Sequence, residues 1–105
     1  MCAQAPTENS QAKLDSLDKL IAVEWDMINE LKELLREARY TRDKIRISNS
    51  LAYHVNCLNR LLIQKGETPL NEETLGTLIT RLPKKAQRRV LREFRIWKRK
   101  LSSAS

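Results

Sequence analysis

From Leu14 to Ala38 apolar residues return every third or fourth position, which confines this stretch to a helix with one buried side. Leu14, Leu17, Ile21, Ile28, Leu31, Leu35 and Ala38 take the a and d positions of a heptad, and Leu20, Met27 and Leu34 widen the stripe at g. A stripe three residues wide suits a helix packed in a bundle better than a narrow two-stranded seam. Glu24 interrupts it with a carboxylate at a d position, expected at the stripe's edge or paired with an Arg or Lys of another helix. Trp25 lies beside the stripe, where it is expected to cover the rim of the core.

Near Tyr40 and Thr41 the pattern changes phase. Continued through the turn, the d positions would fall on Ile45, Ala52 and Asn59, yet the next stripe runs Leu51, Val55, Leu58 and Leu62. Two antiparallel helices with a tight turn at 39–43 accommodate that shift, with Thr41 as N-cap and Asp43 in the first turn. One long bent helix is the alternative, since neither Gly nor Pro forces a break. Ile47, Leu61 and Ile63 add apolar surface to the second helix, and Gly66 supplies its stop.

Glu67, Thr68 and Pro69 read as loop. Asn71 then offers an N-cap, with Glu72 and Glu73 placed to complement the helix dipole. Leu70 and Leu75 have the spacing of a hydrophobic staple. Leu75, Leu78, Ile79 and Leu82 form the one apolar face of a short third helix. Pro83 disfavours helical geometry at Leu82 and itself suits the first position of a fourth helix. The chain has 105 residues with only two Gly and three Pro, enough for one modest core and poor in turn formers. The fold class is therefore all-α: a small bundle of about four helices at 12–39, 42–65, 72–81 and 84–101. A long N-terminal hairpin is followed by a short helix and a basic amphipathic C-terminal helix. Residues 1–10, with Pro6 and a cap at Asn9 or Ser10, are expected to be disordered. Residues 11–101 form the single domain and 102–105 a frayed tail.

The fourth helix carries the strongest functional signal. At about 100° per residue, Ala86, Val90, Phe94, Trp97 and Leu101 share one side. Lys84, Lys85, Arg88, Arg92, Arg95 and Arg99 fall within an arc of roughly 100° on the other, flanked by Arg89, Lys98 and Lys100. From 84 to 105 nine bases face one acid, Glu93, a net of +8 in a chain whose total is +7. Residues 1–40 carry eight acids and five bases, so the charge is strongly asymmetric. Solvated helix faces ordinarily mix signs, because like charges one turn apart cost a few tenths of a kcal/mol each. Arg88, Arg92, Arg95 and Arg99 are spaced to repel in that way, and a polyanion would relieve them.

Catalytic groupings are scarce. His54 is the only histidine and has no evident partner for nucleophilic catalysis, and Gly66 and Gly76 stand alone, so no phosphate loop is present. His54 and Cys57 are three apart, but a zinc site needs two further donors, available only from Cys2 or scattered acids. A non-enzyme without metal or cofactor is expected. Two cysteines make no disulfide framework, and MCAQAPTENS lacks the basic and apolar regions of a signal peptide, so a soluble, intracellular and cytoplasmic protein is expected.

The favoured function is nucleic-acid binding, DNA before RNA, through phosphate contacts from Lys84, Lys85, Arg88, Arg89, Arg92, Arg95, Lys98, Arg99 and Lys100. The helix, short turn and helix of 70–101 are loosely similar to a helix-turn-helix, departing from it in Pro83 and in the length of the last helix. Arg42, Lys44 and Arg46 would extend the basic surface if packing brings them alongside. The alternative is a protein-interaction adaptor or accessory subunit whose basic helix docks an acidic partner, with a further partner or a homodimer formed through the wide stripe of the first helix. Membrane binding through Phe94, Trp97 and Leu101 is disfavoured, because those residues are needed for the core.

Overall fold

The computed structural model describes residues 4–104, with side chains described for 14–101. Four helices and no strands make up the described residues: α1 (Gln4–Glu37), α2 (Thr41–Lys65), α3 (Glu72–Leu78) and α4 (Lys84–Ala104). The all-α bundle expected from the periodicity is what the chain forms.

Helix α1 starts earlier than its sequence suggests. It is helical from Gln4, through the stretch expected to be disordered, so neither Asn9 nor Ser10 begins it. Pro6 falls in the first turn, where the missing amide has no intrahelical partner to lose. Residues 1–3 of that expected disordered segment lie outside the described residues. At the other end α4 continues through Ser102 to Ala104, the part expected to fray, while Ser105 lies outside the described residues.

The chain breaks after Glu37 and α2 begins at Thr41, which makes a hairpin and not one bent helix. The phase change explains it, because a single rod could not have buried the stripes of both halves against one another. Tyr40, extended at φ −97° and ψ 139°, occupies the N-cap position without a side-chain cap bond, so Thr41 is the first helical residue and not the cap. Asp43 lies in the first turn as expected. Polar side-chain contacts mark the antiparallel alignment. The Glu24 Oε2 atom lies 2.7 Å from His54 Nδ1, and further from the turn Lys65 Nζ meets Asp18 on α1 and Glu67 Oε1 at 3.1 Å. Glu24 thus finds the partner its position called for, though that partner is His54 and not an Arg or Lys.

Gly66 ends α2 in the left-handed region, φ 88° and ψ 16°, with its own amide bonded to Ile63 O and the Glu67 amide to Leu62 O. Asn71 caps α3: its Oδ1 accepts from the Thr74 amide at 2.8 Å, and Thr74 Oγ1 accepts from the Asn71 amide at 2.8 Å. Helix α3 stops at Leu78 and not at 81, because Ile79 turns out of helical geometry (φ −105°, ψ 15°) well before Pro83. The carbonyls released there are taken up from α4, where Gln87 Nε2 donates to Thr80 O and Leu82 O at 3.1 and 2.7 Å. Pro83 precedes α4 and accepts from the Gln87 amide, so it stands just outside the helix.

Helix α2 is central. Its Leu51, Ala52, Val55, Leu58 and Leu62 join Ile28 and Leu35 of α1, Leu75 of α3, the turn residues Ile79 and Leu82, and Ala86, Val90 and Phe94 of α4 in one buried cluster. Trp25 packs on its rim, as expected. Ile63 does not join; it is 60% exposed. Two buried asparagines complete the core. Asn56 Nδ2 donates to the Ala52 and Phe94 carbonyls, both at 3.1 Å, and Asn59 brackets Leu70, donating to its carbonyl at 2.9 Å and accepting from its amide at 2.7 Å.

Candidate nucleic-acid interface

Ala86, Val90 and Phe94, four residues apart, are buried against α2 and α3, and their spacing fixes which side of α4 faces water. Trp97 adds a second anchor. Its Nε1 donates to Asn49 Oδ1 on α2, and its ring meets Tyr53 edge-on at a centroid distance of 4.8 Å. Neither Asn49 nor Tyr53 stands out in the sequence, because each matters only once α2 and α4 cross.

The opposite side is basic. Lys84, Lys85, Arg88, Arg92, Arg95, Lys98, Arg99 and Lys100 are exposed and Arg89 is half-buried. They do not form one uniform surface. Lys85, Arg88, Arg89 and Arg92 line a single shallow depression that has no acidic wall. Arg95 is committed elsewhere: its Nε donates to Glu72 Oε1 at 2.6 Å and its Nη2 to Glu72 Oε2 at 3.0 Å. That guanidinium holds the Glu72 carboxyl below its ordinary value, and the carboxylate in turn raises Arg95. Lys98 and Lys100 bend towards aromatic rings, with Nζ 6.0 Å from the Phe94 centroid and 4.8 Å from that of Trp97. Of the nine bases singled out in the sequence, the structure brings four around one concavity, pairs one, and turns two towards rings.

Arg46 of α2 shares a shallow groove with Trp97, Asn49 and Tyr53, which carries basic surface from α2 to the edge of α4. Arg60 does the same further along, in a groove it lines with Lys98, Asn56 and Leu101.

Between α1 and α2 a few titratable groups meet one another. His54 meets Glu24, and burial pushes the Cys57 thiol up, which favours the neutral form over a nucleophilic thiolate. Tyr53 is raised too, chiefly by its hydrogen bond with Cys57. No three His, Cys, Asp or Glu among the described residues lie close enough to hold a metal ion, and Cys2 lies outside those residues. No helix among them is long and apolar enough to cross a membrane. The chain matches no protein-family model, no curated protein and no solved structure.

Proposed function

We propose that this protein is a non-enzymatic nucleic-acid-binding protein that holds duplex DNA by its phosphates through α4. The observation that carries the reading is the depression lined by Lys85, Arg88, Arg89 and Arg92, where four cations converge without a carboxylate among them. Such a group is under mutual repulsion, and a phosphate seated between the side chains relieves it while releasing counterions from the nucleic acid. Arginine predominates there and suits two-pronged phosphate contacts. Lys84 and Arg99 prolong the surface along the helix, to a length of about 24 Å from residue 84 to 100.

Duplex DNA is favoured over single-stranded RNA because single strands are held largely by stacking on aromatic rings. Phe94 is buried and Trp97 is engaged by Asn49 and Tyr53, so the exposed arc of α4 carries no aromatic ring of its own, and the nearest, Tyr53, lies in the neighbouring groove with Arg46. A cytoplasmic, intracellular setting accords with Cys57 remaining a free thiol.

The second reading, an adaptor whose basic helix docks an acidic protein, draws on Arg95 and Glu72, which show a carboxylate seated on this same helix. Fluorescence anisotropy of labelled duplex DNA and single-stranded RNA at several salt concentrations separates the two. Duplex binding with log K falling steeply against log salt, and a slope shallower by about 0.9 for each contact removed in Arg88→Gln and Arg92→Gln, is the expected outcome. Failure to bind either nucleic acid at about 100 mM salt and ~10⁻⁴ M protein would leave the adaptor reading in its place.

A further inference from the structure

Helix α1 buries only part of its apolar stripe. Ile28 and Leu35 enter the core with Ile21 and Leu31 at its margin, while Leu20, Val23, Met27 and Leu34 stay 51, 57, 37 and 45% exposed. Leu20, Met27 and Leu34 are spaced by seven, so they lie nearly on one line along the helix, drifting about 20° per step. The line is about 21 Å long at the helical rise, the reach of a partner helix of some four turns. Its outer edge is acidic. Asp26, Glu30 and Glu37 are exposed beside it without an ion pair among the described residues; on α1 the one base along that edge is Lys19, and at the far end Arg46 of α2 shares a groove with Leu34 and Glu37.

We infer that this row of α1 is a docking surface for a basic amphipathic helix of another protein. The occupant's apolar residues, at intervals of three and four, would cover Leu20, Val23, Met27 and Leu34, and Lys or Arg along its flank would meet Asp26, Glu30 and Glu37. Charge selects this occupant over a second copy of the chain. Two α1 rows laid together would bring the three carboxylates of each against those of the other, with Lys19 and the Arg46 at one end too few to offset them. Helix α4 of a second copy has the complementary charge but not the apolar side chains, since Ala86, Val90 and Phe94 are buried in its own domain. The surface involves no residue of α4, so this inference stands whether or not nucleic acid binds there.

The test uses the full chain and two fluorescein-labelled helical peptides of about 16 residues. They share one leucine face at intervals of three and four and differ only in flanks of Lys and Arg or of Glu. The basic peptide is expected to bind at least ten-fold more tightly than the acidic one. A Leu20→Gln, Met27→Gln, Leu34→Gln variant should lose at least ten-fold in that affinity while keeping its helical circular dichroism. An Asp26→Lys, Glu30→Lys, Glu37→Lys variant, which leaves the apolar row intact, should reverse the peptide preference. Equal affinity for both peptides, or binding unaffected by the Gln substitutions, overturns the inference. So does sedimentation of the wild type as a dimer that the Gln variant reduces to monomer, because the row is then filled by a second copy.

Discussion

The guanidinium of Arg95 grips the Glu72 carboxylate by both oxygens, with Nε at 2.6 Å from one and Nη2 at 3.0 Å from the other. This bidentate pair joins the first turn of α3 to the middle of α4 and withdraws one cation from the basic face. Glu72→Gln should return Arg95 to that face. If α4 binds phosphates, the variant binds duplex DNA more tightly than wild type, and its salt dependence steepens by about 0.9 in log K against log salt. Anisotropy titrations of the two proteins in parallel measure it, and an unchanged slope would mean that Arg95 is not within reach of the phosphates.

The same pair has a pH signature. Arg95 lowers the Glu72 carboxyl from its ordinary value of 4.5, so the folded state holds its proton less tightly than the unfolded chain does. Its contribution to stability is therefore complete above that ordinary value and is lost as pH falls through the lowered, folded one. Both groups are exposed, so salt also weakens the contribution. Thermal melts of wild type and Glu72→Gln should differ at neutral pH and converge in acid. A constant gap across that range would show that the ion pair is not its source.

Phe94 and Trp97 both anchor α4, but unequally. Phe94 is 1% exposed at the centre of the cluster, and Phe94→Ala should cost ~3–5 kcal/mol, a large share of a small domain's stability. Trp97→Phe keeps most of the packing and removes the bond to Asn49, for about 1 kcal/mol. Urea unfolding of both variants would order them, and a Phe94→Ala protein as stable as wild type would exclude Phe94 from the core.

Asn59 should be worth more than its size suggests. Its amide satisfies both the N–H and the C=O of Leu70, and Asn59→Leu, which has the same branching but bulkier methyl groups, leaves the two without those partners. A loss of about 2 kcal/mol in urea unfolding is expected. Little change would mean that solvent replaces both bonds at no cost.

Ser48 points the other way. It is fully buried, and its hydroxyl has no hydrogen-bond partner among the described residues. Ser48→Ala removes that hydroxyl at small cost in packing, so a gain of about 1 kcal/mol and a melting temperature higher by about 4–8 °C are expected. A lower melting temperature would show that the hydroxyl is satisfied in solution.

Features set by neighbours along the chain are legible in the sequence alone. The phase change near Tyr40 and Thr41, the Asn71 cap, the stop at Gly66 and the buried spacing of Ala86, Val90 and Phe94 all follow from local pattern. Features set by helix crossings are not. His54 meets Glu24 thirty residues away, Trp97 meets Asn49, and Arg95 meets Glu72, and no periodicity predicts which residues a crossing brings together. The buried asparagines are hidden for a related reason, since a polar residue on an apolar stripe reads as a flaw until its distant partner is known. Local pattern also misjudges the end of α3, where Gln87 reaches back from α4 to satisfy Thr80 and Leu82. For the basic face, the sequence locates the cations, and Glu72 decides how many of them are left facing outwards.

Among the described residues, helices α1 and α4 each pack chiefly on α2. Free-energy changes at exposed positions of the two outer helices should therefore sum with almost no cross term, as they do for sites that share no partners, whereas their buried residues meet in one cluster on α2. A lineage carrying this fold can rewrite the outer row of α1 without a compensating change on α4, and the reverse holds as well. Helix α2 has no such latitude. Eight of its residues are buried, and Asn56 alone ties its own backbone to that of α4, so drift there is felt on both sides at once.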